Sequence, residues 1–194
     1  MHILTFNLVV ALPAEARPLI NHFGLRRQQP DGAFPIYRNE QVSLVLSGVG
    51  KQASAAATRC LFEGNDLATG SIWINIGIAG HACRPVGDII LANNVVDETT
   101  GQHWMPQLGF VPPCDLDMLT TLNQPDNDYA RPGAFDMEAA GFLAAAGQKA
   151  YCLKIISDNK NNQSRGIKGK VVSQLVMAQL GILDRFIKQL SHSE

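Results

Sequence analysis

The sequence lacks an excess of charge of either sign. Its 194 residues carry 16 Lys and Arg against 17 Asp and Glu, which gives a formal net charge of -1. Proteins that hold nucleic acid by its phosphates usually carry a basic stripe, so this balance argues against such a partner. Charged residues make up only 17% of the chain, against roughly 25% in an average soluble domain. The low charged fraction indicates that a partner covers part of the surface, and we expect a homodimer.

Long hydrophobic runs are also absent. The apolar run over residues 3–12 is interrupted by Thr5 and Asn7 and ends at Pro13. It is much shorter than the roughly 20 residues that cross a bilayer. The first residues show neither a basic stretch nor a small-residue cleavage site. We therefore predict a cytoplasmic protein without a membrane span.

The cysteines show no spacing typical of a metal site or a redox pair. Cys60, Cys83, Cys114 and Cys152 form no Cys-x-x-Cys pair, and no histidine lies near them at metal-ligand spacing. We expect reduced thiols, no metal and no cofactor. The binding partner that we predict is a small molecule.

Buried β-rich runs alternate with alanine-rich helical segments along the chain. This alternation predicts an α/β fold, a single three-layer α/β/α domain over residues 1–194 with a mixed, mostly parallel central sheet. Strands are predicted at residues 3–11, 71–76, 88–96 and 151–156, with a hairpin over 34–38 and 41–46. Helices are predicted from Pro13, over 51–63, over 135–146 and over 166–190. The polar, proline-rich middle, 98–133, is predicted to be a long loop in which 116–122 forms a short helix.

Three acidic residues lie where predicted strands or loops meet helices: Glu15, Glu138 and Asp158. Ligands of open α/β sheets bind at the carboxyl ends of the strands, so Glu15 and Asp158 are expected to face one crevice. A structural alternative makes Asp158 the cap of a following turn and Glu15 a first-turn acid that the helix dipole favours. Glu138 lies among apolar residues, where an acid is costly unless it is wet or binds something.

Six short motifs occur in order along the chain. They are Ala11-Leu12-Pro13-Ala14-Glu15, Ser47-Gly48-Val49-Gly50-Lys51, Ile74-Asn75-Ile76-Gly77-Ile78-Ala79-Gly80, Val86-Gly87-Asp88-Ile89, Asp136-Met137-Glu138-Ala139 and Ile156-Ser157-Asp158. Together they resemble the nucleoside phosphorylase superfamily, on the side of the methylthioadenosine/S-adenosylhomocysteine nucleosidases. The resemblance covers residues 3–97 and 134–188 and leaves the polar middle unmatched.

This resemblance implies cleavage of the N-glycosidic bond of a purine nucleoside through a transition state with oxocarbenium character. Asp158 corresponds to the general acid that protonates N7 of the departing purine, and Glu15 to the acid that orients the attacking water. Glu138 corresponds to the acid that holds the ribose hydroxyls and steadies the positive charge on the ring. Further implied contacts are Met137 beneath the sugar, Ser157 orienting Asp158, and the backbone of Gly77, Ile78, Ala79 and Gly80.

The chain also departs from the family pattern. Lys154 stands where nucleosidases usually carry Arg, and Ile78 replaces a Ser. Residues 98–133 are too few for the strand and loop that in the family bring an aromatic side chain against the base. We therefore expect Trp104, Phe110 or Phe135 to replace that side chain, with Trp104 as the stacking candidate, or else an open pocket.

Alternative functions remain at this stage. The opening residues 9–17 also resemble phosphorylase-like proteins associated with hopanoid synthesis, which would suit a bulky 5′ substituent. Phosphorolysis would need a phosphate site, and no motif around the available arginines resembles one, so hydrolysis is favoured. A non-catalytic nucleoside-binding protein of the same fold is the other alternative. The run Gly48-Val49-Gly50-Lys51-Gln52-Ala53 matches a dinucleotide fingerprint only in part, since no acid ends a strand about 20 residues on.

Overall fold

A computed structural model describes residues 4–28, 32–63, 71–126, 128–146, 149–163 and 166–192. Within these ranges a mixed sheet lies between two layers of helices, which confirms the predicted three-layer α/β class. The strands are β1 (Phe6–Val10), β2 (Arg26–Arg27), β3 (Ile36–Arg38), β4 (Val42–Leu46), β5 (Ile72–His81), β6 (Ile89–Asp97), β7 (His103–Trp104), β8 (Asp115–Thr121), β9 (Ala134–Asp136) and β10 (Ala150–Asn159). The helices are α1 (Pro13–Phe23), α2 (Lys51–Glu63), α3 (Ala139–Ala145), α4 (Gly169–Ala178) and α5 (Leu180–His192).

The sheet has a closed part and an open part. β5 pairs in parallel with β10, and the path from β10 through β6, β8 and β9 returns to β5, so five strands form a ring. On the other side β5 pairs in parallel with β1, which pairs in parallel with β4. The antiparallel strands β3 and β2 complete this open edge. Because β1, β5 and β10 run in the same direction, their carboxyl ends lie at the same edge of the sheet.

Both faces of the sheet are covered by helices, and this explains the continuous apolar strands. Successive side chains of a strand point to opposite faces. In β1, Leu8 packs in the cluster that contains Leu19 of α1 and Phe186 of α5. Its neighbour Val9 packs in the opposite cluster with Leu61 of α2 and Phe142 of α3. A strand buried on both faces has no reason to alternate apolar and polar residues.

The predicted hairpin and the helix over residues 51–63 are confirmed, whereas the middle of the chain was predicted wrongly. Residues 115–121 form the strand β8 and not a short helix, because they pair in parallel with β6 and complete the ring. The tertiary pairing overrides the weak helical spacing of Leu116, Leu119 and Leu122. A strand therefore fits into the stretch that seemed too short for one.

Element boundaries also differ from the predictions. β10 runs to Asn159 and includes Asp158, whereas the strand was predicted to end at Ile156. β5 continues through the glycine-rich stretch to His81, because its last residues pair with β10 and β9. The predicted helix over 135–146 begins only at Ala139, since Phe135 and its neighbours form β9. The terminal helix is divided at Gln179, whose side-chain amide donates to the Gly87 carbonyl at 2.7 Å. Ile3, the predicted start of the first strand, lies outside the described residues.

The helices of the described ranges are too short, or too polar, to cross a membrane.

Candidate active site

A cavity of about 190 Å³ opens at the edge where β1, β5 and β10 end. Its walls come from the β1–α1 connection, the end of β5, the loop after β8, the β9–α3 connection and the end of β10. Nearly all site residues predicted from the sequence line it: Glu15, Ile78, Ala79, Gly80, Phe135, Met137, Glu138, Ser157 and Asp158. Residues that are far apart in the sequence thus meet because parallel strands deliver them to one edge.

Glu15 is fixed by two backbone amides, one from the β1–α1 connection and one from β5. Its Oε2 accepts the N–H of Leu12 at 2.8 Å, and its Oε1 accepts the N–H of Ile78 at 2.8 Å. Pro13 begins the helix, so Glu15 lies in the first turn, where the helix dipole favours a negative charge. The side chain is 1% exposed. Burial raises the pKa of Glu15, while the two amides and the Lys154 charge act in the opposite direction.

Glu138 joins the β9–α3 connection to the loop that follows β4. Its Oε1 accepts the N–H of Gly50 at 2.8 Å. Gly50 has φ +104°, a conformation that favours glycine. This backbone conformation directs the Gly50 N–H at the Glu138 carboxylate. Burial, and next the negative charge of Asp136, raise the pKa of Glu138 to about 7. Glu138 therefore titrates close to neutral pH.

Asp158 is presented to the cavity by a β-bulge. In the pairing of β10 with β5, Ile156 opposes Ala79 and Asp158 opposes Gly80, so Ser157 is the extra residue. The Ser157 hydroxyl donates to Asp158 Oδ1 at 2.5 Å. The expected alternative role as a turn cap falls to the next residue, because Asn159 accepts the backbone amides of the turn that follows.

A buried ion pair lies behind the acids. Lys154 is 1% exposed, and its Nζ lies 2.8 Å from Asp136 Oδ2. The Asp136 carboxylate also accepts the Thr121 hydroxyl and the Ala139 amide, each at 2.8 Å. Burial disfavours the charged lysine, but the negative charges of Asp136 and Glu138 outweigh it and raise the pKa of Lys154. Lys154 thus supplies one positive charge to a cluster of acids.

Phe135 forms an apolar wall of the cavity. It lies directly over Gly80, where a Cβ atom would lie 2.2 Å from Phe135 Cε2. Gly80 is therefore needed for the close approach of the ring to the strand. Of the aromatic residues proposed for stacking, Phe135 lines the cavity.

Two predicted site residues lie elsewhere. Trp104 is on β7, paired with Val95 of β6 and packed against the core cluster that contains Val9 and Phe142, and it does not line the cavity. The prediction that it stacks on a base is therefore wrong for this structure. Gly77 lies below the cavity floor, where a Cβ atom would come 3.0 Å from Glu15 Oε1.

Sequence analysis missed the loop after β8. Its residues Leu122, Gln124, Pro125 and Asp126 line the cavity. Tyr129 of the same loop donates its hydroxyl to Asp158 Oδ2 at 2.5 Å. No sequence signal marks these residues, because their position depends on the pairing of β8 between β6 and β9.

Two other titratable side chains, at and just after the end of β5, have structural partners. His81 is buried, and its Nδ1 accepts the amides of Cys83 and Arg84. Arg84 donates to Asp117 at 2.7 Å and to Asp115 at 3.0 Å. No group of three or more His, Cys, Asp and Glu side chains within the described ranges is arranged to hold a metal ion.

No protein-family model matches this sequence, and no curated protein matches it. Solved structures match its fold over nearly the whole chain. The 5′-methylthioadenosine nucleosidase of Arabidopsis thaliana has a TM-score of 0.81 at 18% identity, covering 98% of this chain and 97% of that one. The methylthioadenosine/S-adenosylhomocysteine nucleosidase of S. pneumoniae has a TM-score of 0.77 at 22% identity, covering 96% and 99%.

A third matching structure carries a different enzyme name. It is a mutant of the futalosine hydrolase of Helicobacter pylori, with a TM-score of 0.74 at 14% identity, covering 96% of this chain and 99% of that one. The chain described here therefore has the fold of these nucleosidases.

Proposed function

We propose that this protein hydrolyses the N-glycosidic bond of an adenosine-type purine nucleoside. The observation that carries the proposal is the meeting of Glu15, Glu138 and Asp158 at one cavity, each from a different part of the chain. All three side chains are buried. Three poorly solvated acids cost folding free energy, and a protein that only binds a neutral nucleoside gains nothing from keeping them together.

Asp158 is the proposed general acid. It gives its proton to N7 of the purine, so that the base leaves as a neutral molecule. Phe135 and Gly80 form the adjoining apolar wall, which suits the flat face of a base. Ser157 fixes the orientation of the carboxyl from one side.

The other two acids act on the sugar and on water. The ionised Glu138 holds the ribose hydroxyls and stabilises the positive charge that develops on the ring as the base leaves. Glu15 lines the cavity and is oriented there by the amides of Leu12 and Ile78. Its raised pKa makes it a better base for the attacking water.

The composition of the cavity favours water over phosphate as the nucleophile. Among its described lining residues there is no Lys, Arg or His, whereas five are acidic: Glu15, Asp126, Asp136, Glu138 and Asp158. A phosphate dianion would meet like charges there. Arg84 and Arg131 do not line the cavity and are paired with Asp117 and Asp126.

The proposal is tested by release of free base, measured by chromatography. The substrates are methylthioadenosine, S-adenosylhomocysteine, adenosine, inosine and futalosine, each with and without phosphate. Base release without phosphate supports hydrolysis, and release only with phosphate would assign phosphorolysis instead. If none of the nucleosides loses its base, a non-catalytic protein of the same fold becomes the better conclusion.

Asp158→Asn tests the role of Asp158 as the general acid. The substitution keeps the shape of the side chain but removes the proton donor, so we expect a loss of turnover of about a hundredfold or more with little change in nucleoside binding. Asn159→Asp is a poor control because Asn159 caps a turn. Asp184→Asn on the exposed face of α5 is suitable, and it should keep full activity.

We also propose that the protein is a cytoplasmic homodimer. Large apolar side chains are exposed on the single chain, including Val49 at the rim of the cavity and Met105 and Val111 in the middle segment. Light scattering measures the dimer directly, and a monomeric mass at micromolar concentration would contradict it. Cell fractionation tests the compartment.

A further inference from the structure

Tyr129 reaches the proposed acid from the loop between β8 and β9. Its hydroxyl donates to Asp158 Oδ2 at 2.5 Å, while Ser157 donates to Oδ1. The tyrosine is 3% exposed, and its ring lies against Phe135 with ring centroids 5.5 Å apart. Both oxygens of the acid therefore accept a hydroxyl hydrogen bond.

The loop holds Tyr129 in a conformation that tyrosine does not favour. Its φ is +51°, and among the residues that the structure describes it is the one non-glycine with a positive φ. The loop is tied by Arg131, which pairs with Asp126 at 2.7 Å and with Glu98 at 2.9 Å. Conformations of this kind persist where the surrounding structure enforces them, often at functional sites.

We propose that Tyr129 is a positioning residue that acts through Asp158, stabilising the negative charge that this carboxyl acquires as it gives up its proton. The inference rests on the proposed function. In the step concerned, the proton moves from Asp158 to N7 of the base, and the electron pair of the glycosidic bond leaves with the base. Water attacks the sugar carbon and loses a proton to Glu15, after which solvent returns a proton to Asp158 and removes one from Glu15.

The hydrogen bond from Tyr129 to Asp158 affects the bound nucleoside complex and the transition state differently. A hydroxyl bonds more strongly to a carboxylate than to a neutral carboxyl group. The contact from Tyr129 therefore strengthens while Asp158 loses its proton, and it lowers the barrier more than it stabilises the bound nucleoside. Interactions that form mainly in the transition state raise kcat and leave KM nearly unchanged.

Other ionisable groups face the same region and contribute to the pH dependence of the reaction. Four of them line the cavity: Glu15 on α1, Asp126 in the loop, Asp136 on β9 and Glu138 beside it; Lys154 on β10 is paired with Asp136. Tyr129→Phe leaves all of them in place. A change of the pH profile caused by this variant therefore reports on the hydroxyl.

The experiment compares Tyr129→Phe with Tyr37→Phe, which removes the same atom from β3, outside the residues that line the cavity. The phenylalanine keeps the ring contact with Phe135. We expect kcat to fall by about tenfold to a hundredfold, as for loss of a hydrogen bond to a charged group. KM should stay within about twofold, and the alkaline limb of the rate profile should move to higher pH because the acid has become weaker. Tyr37→Phe should match the parent.

A second measurement keeps the inference testable if Tyr129→Phe does not fold. Replacement of the three tyrosines by 3-fluorotyrosine preserves the shape of the site and makes each hydroxyl a better donor. The alkaline limb should then move to lower pH.

Two results from Tyr129→Phe would overturn this inference and leave the proposed function standing. One is a parent-like kcat and pH profile. The other is a lower kcat with an unmoved profile, which would indicate a structural role. A profile unaltered by fluorination would do the same. A parent protein that releases no base would overturn the proposed function together with this inference, so the two failures are distinguishable.

Discussion

Glu138→Gln should stabilise the protein at alkaline pH. The folded state keeps the proton of Glu138 up to about pH 7, whereas the ordinary value for the pKa of this side chain is 4.5. Because the folded state binds the proton more tightly, the free energy of unfolding of the parent falls as the pH rises through this interval. A gap of about 2.5 pH units corresponds to about 3 kcal/mol.

Glutamine at position 138 removes this pH dependence of the free energy of unfolding and still fills the space of the glutamate side chain. Its side-chain oxygen can still accept the Gly50 amide, which lies 2.8 Å from Oε1 in the parent. The variant should therefore equal the parent near pH 4 and exceed it by about 3 kcal/mol at pH 8. Turnover should be lost at every pH, since the neutral amide cannot stabilise a positive sugar ring.

Urea unfolding followed by circular dichroism at several pH values between 4 and 8 measures this difference. With a slope of about 2 kcal/mol per molar urea, the expected midpoint shift at pH 8 is about 1.5 M. Glu40→Gln, in the exposed turn between β3 and β4, is the matched control and should give no pH-dependent difference. A Glu138→Gln curve that runs parallel to that of the parent at all pH values would refute the reasoning.

Two further substitutions test the structure around the acids. Lys154→Met leaves the Asp136 carboxylate buried without its cation, and it should lower the free energy of unfolding by about 3–5 kcal/mol; urea unfolding measures this, and Asp136→Asn in the same chain should restore part of the loss. Gly80→Ala places a Cβ 2.2 Å from Phe135, so the ring must move. We expect a loss of about 1–3 kcal/mol and a higher KM in steady-state kinetics. Gly181→Ala on α5, where a Cβ meets nothing within 4 Å, should keep the KM and unfold no more easily. Parent-like behaviour of either site variant would contradict the contacts described here.

Much of the fold could be predicted because local patterns carry it. Pro13 marks the start of α1, and the alanine-rich run over 51–63 forms α2 with the predicted bounds. The apolar runs that became β1 and β10 are buried on both faces, as their continuous composition indicates. In contrast, β8 has no local signal stronger than its helical alternative, and its pairing partners lie elsewhere in the chain.

The acids that line the cavity could be picked out in the sequence for a similar reason. Glu15, Glu138 and Asp158 each occur in a short motif, and the rule that ligands bind at strand ends brings Glu15 and Asp158 together. Trp104 was wrongly predicted to lie at the cavity because the sequence around an aromatic residue does not indicate which strand its side chain packs against. Tyr129 was missed because its role depends on a loop path and on one left-handed backbone conformation.

The sequence by itself determined which elements form and which acids are available, since helix starts, apolar periodicity and short motifs are properties of neighbouring residues. Tertiary structure alone decided that β8 inserts between β6 and β9, that Lys154 neutralises Asp136, and that Tyr129 donates to Asp158. These contacts join residues that are distant in the chain. They exist only when the closed ring of strands has formed, because only then do the residues lie within hydrogen-bonding distance.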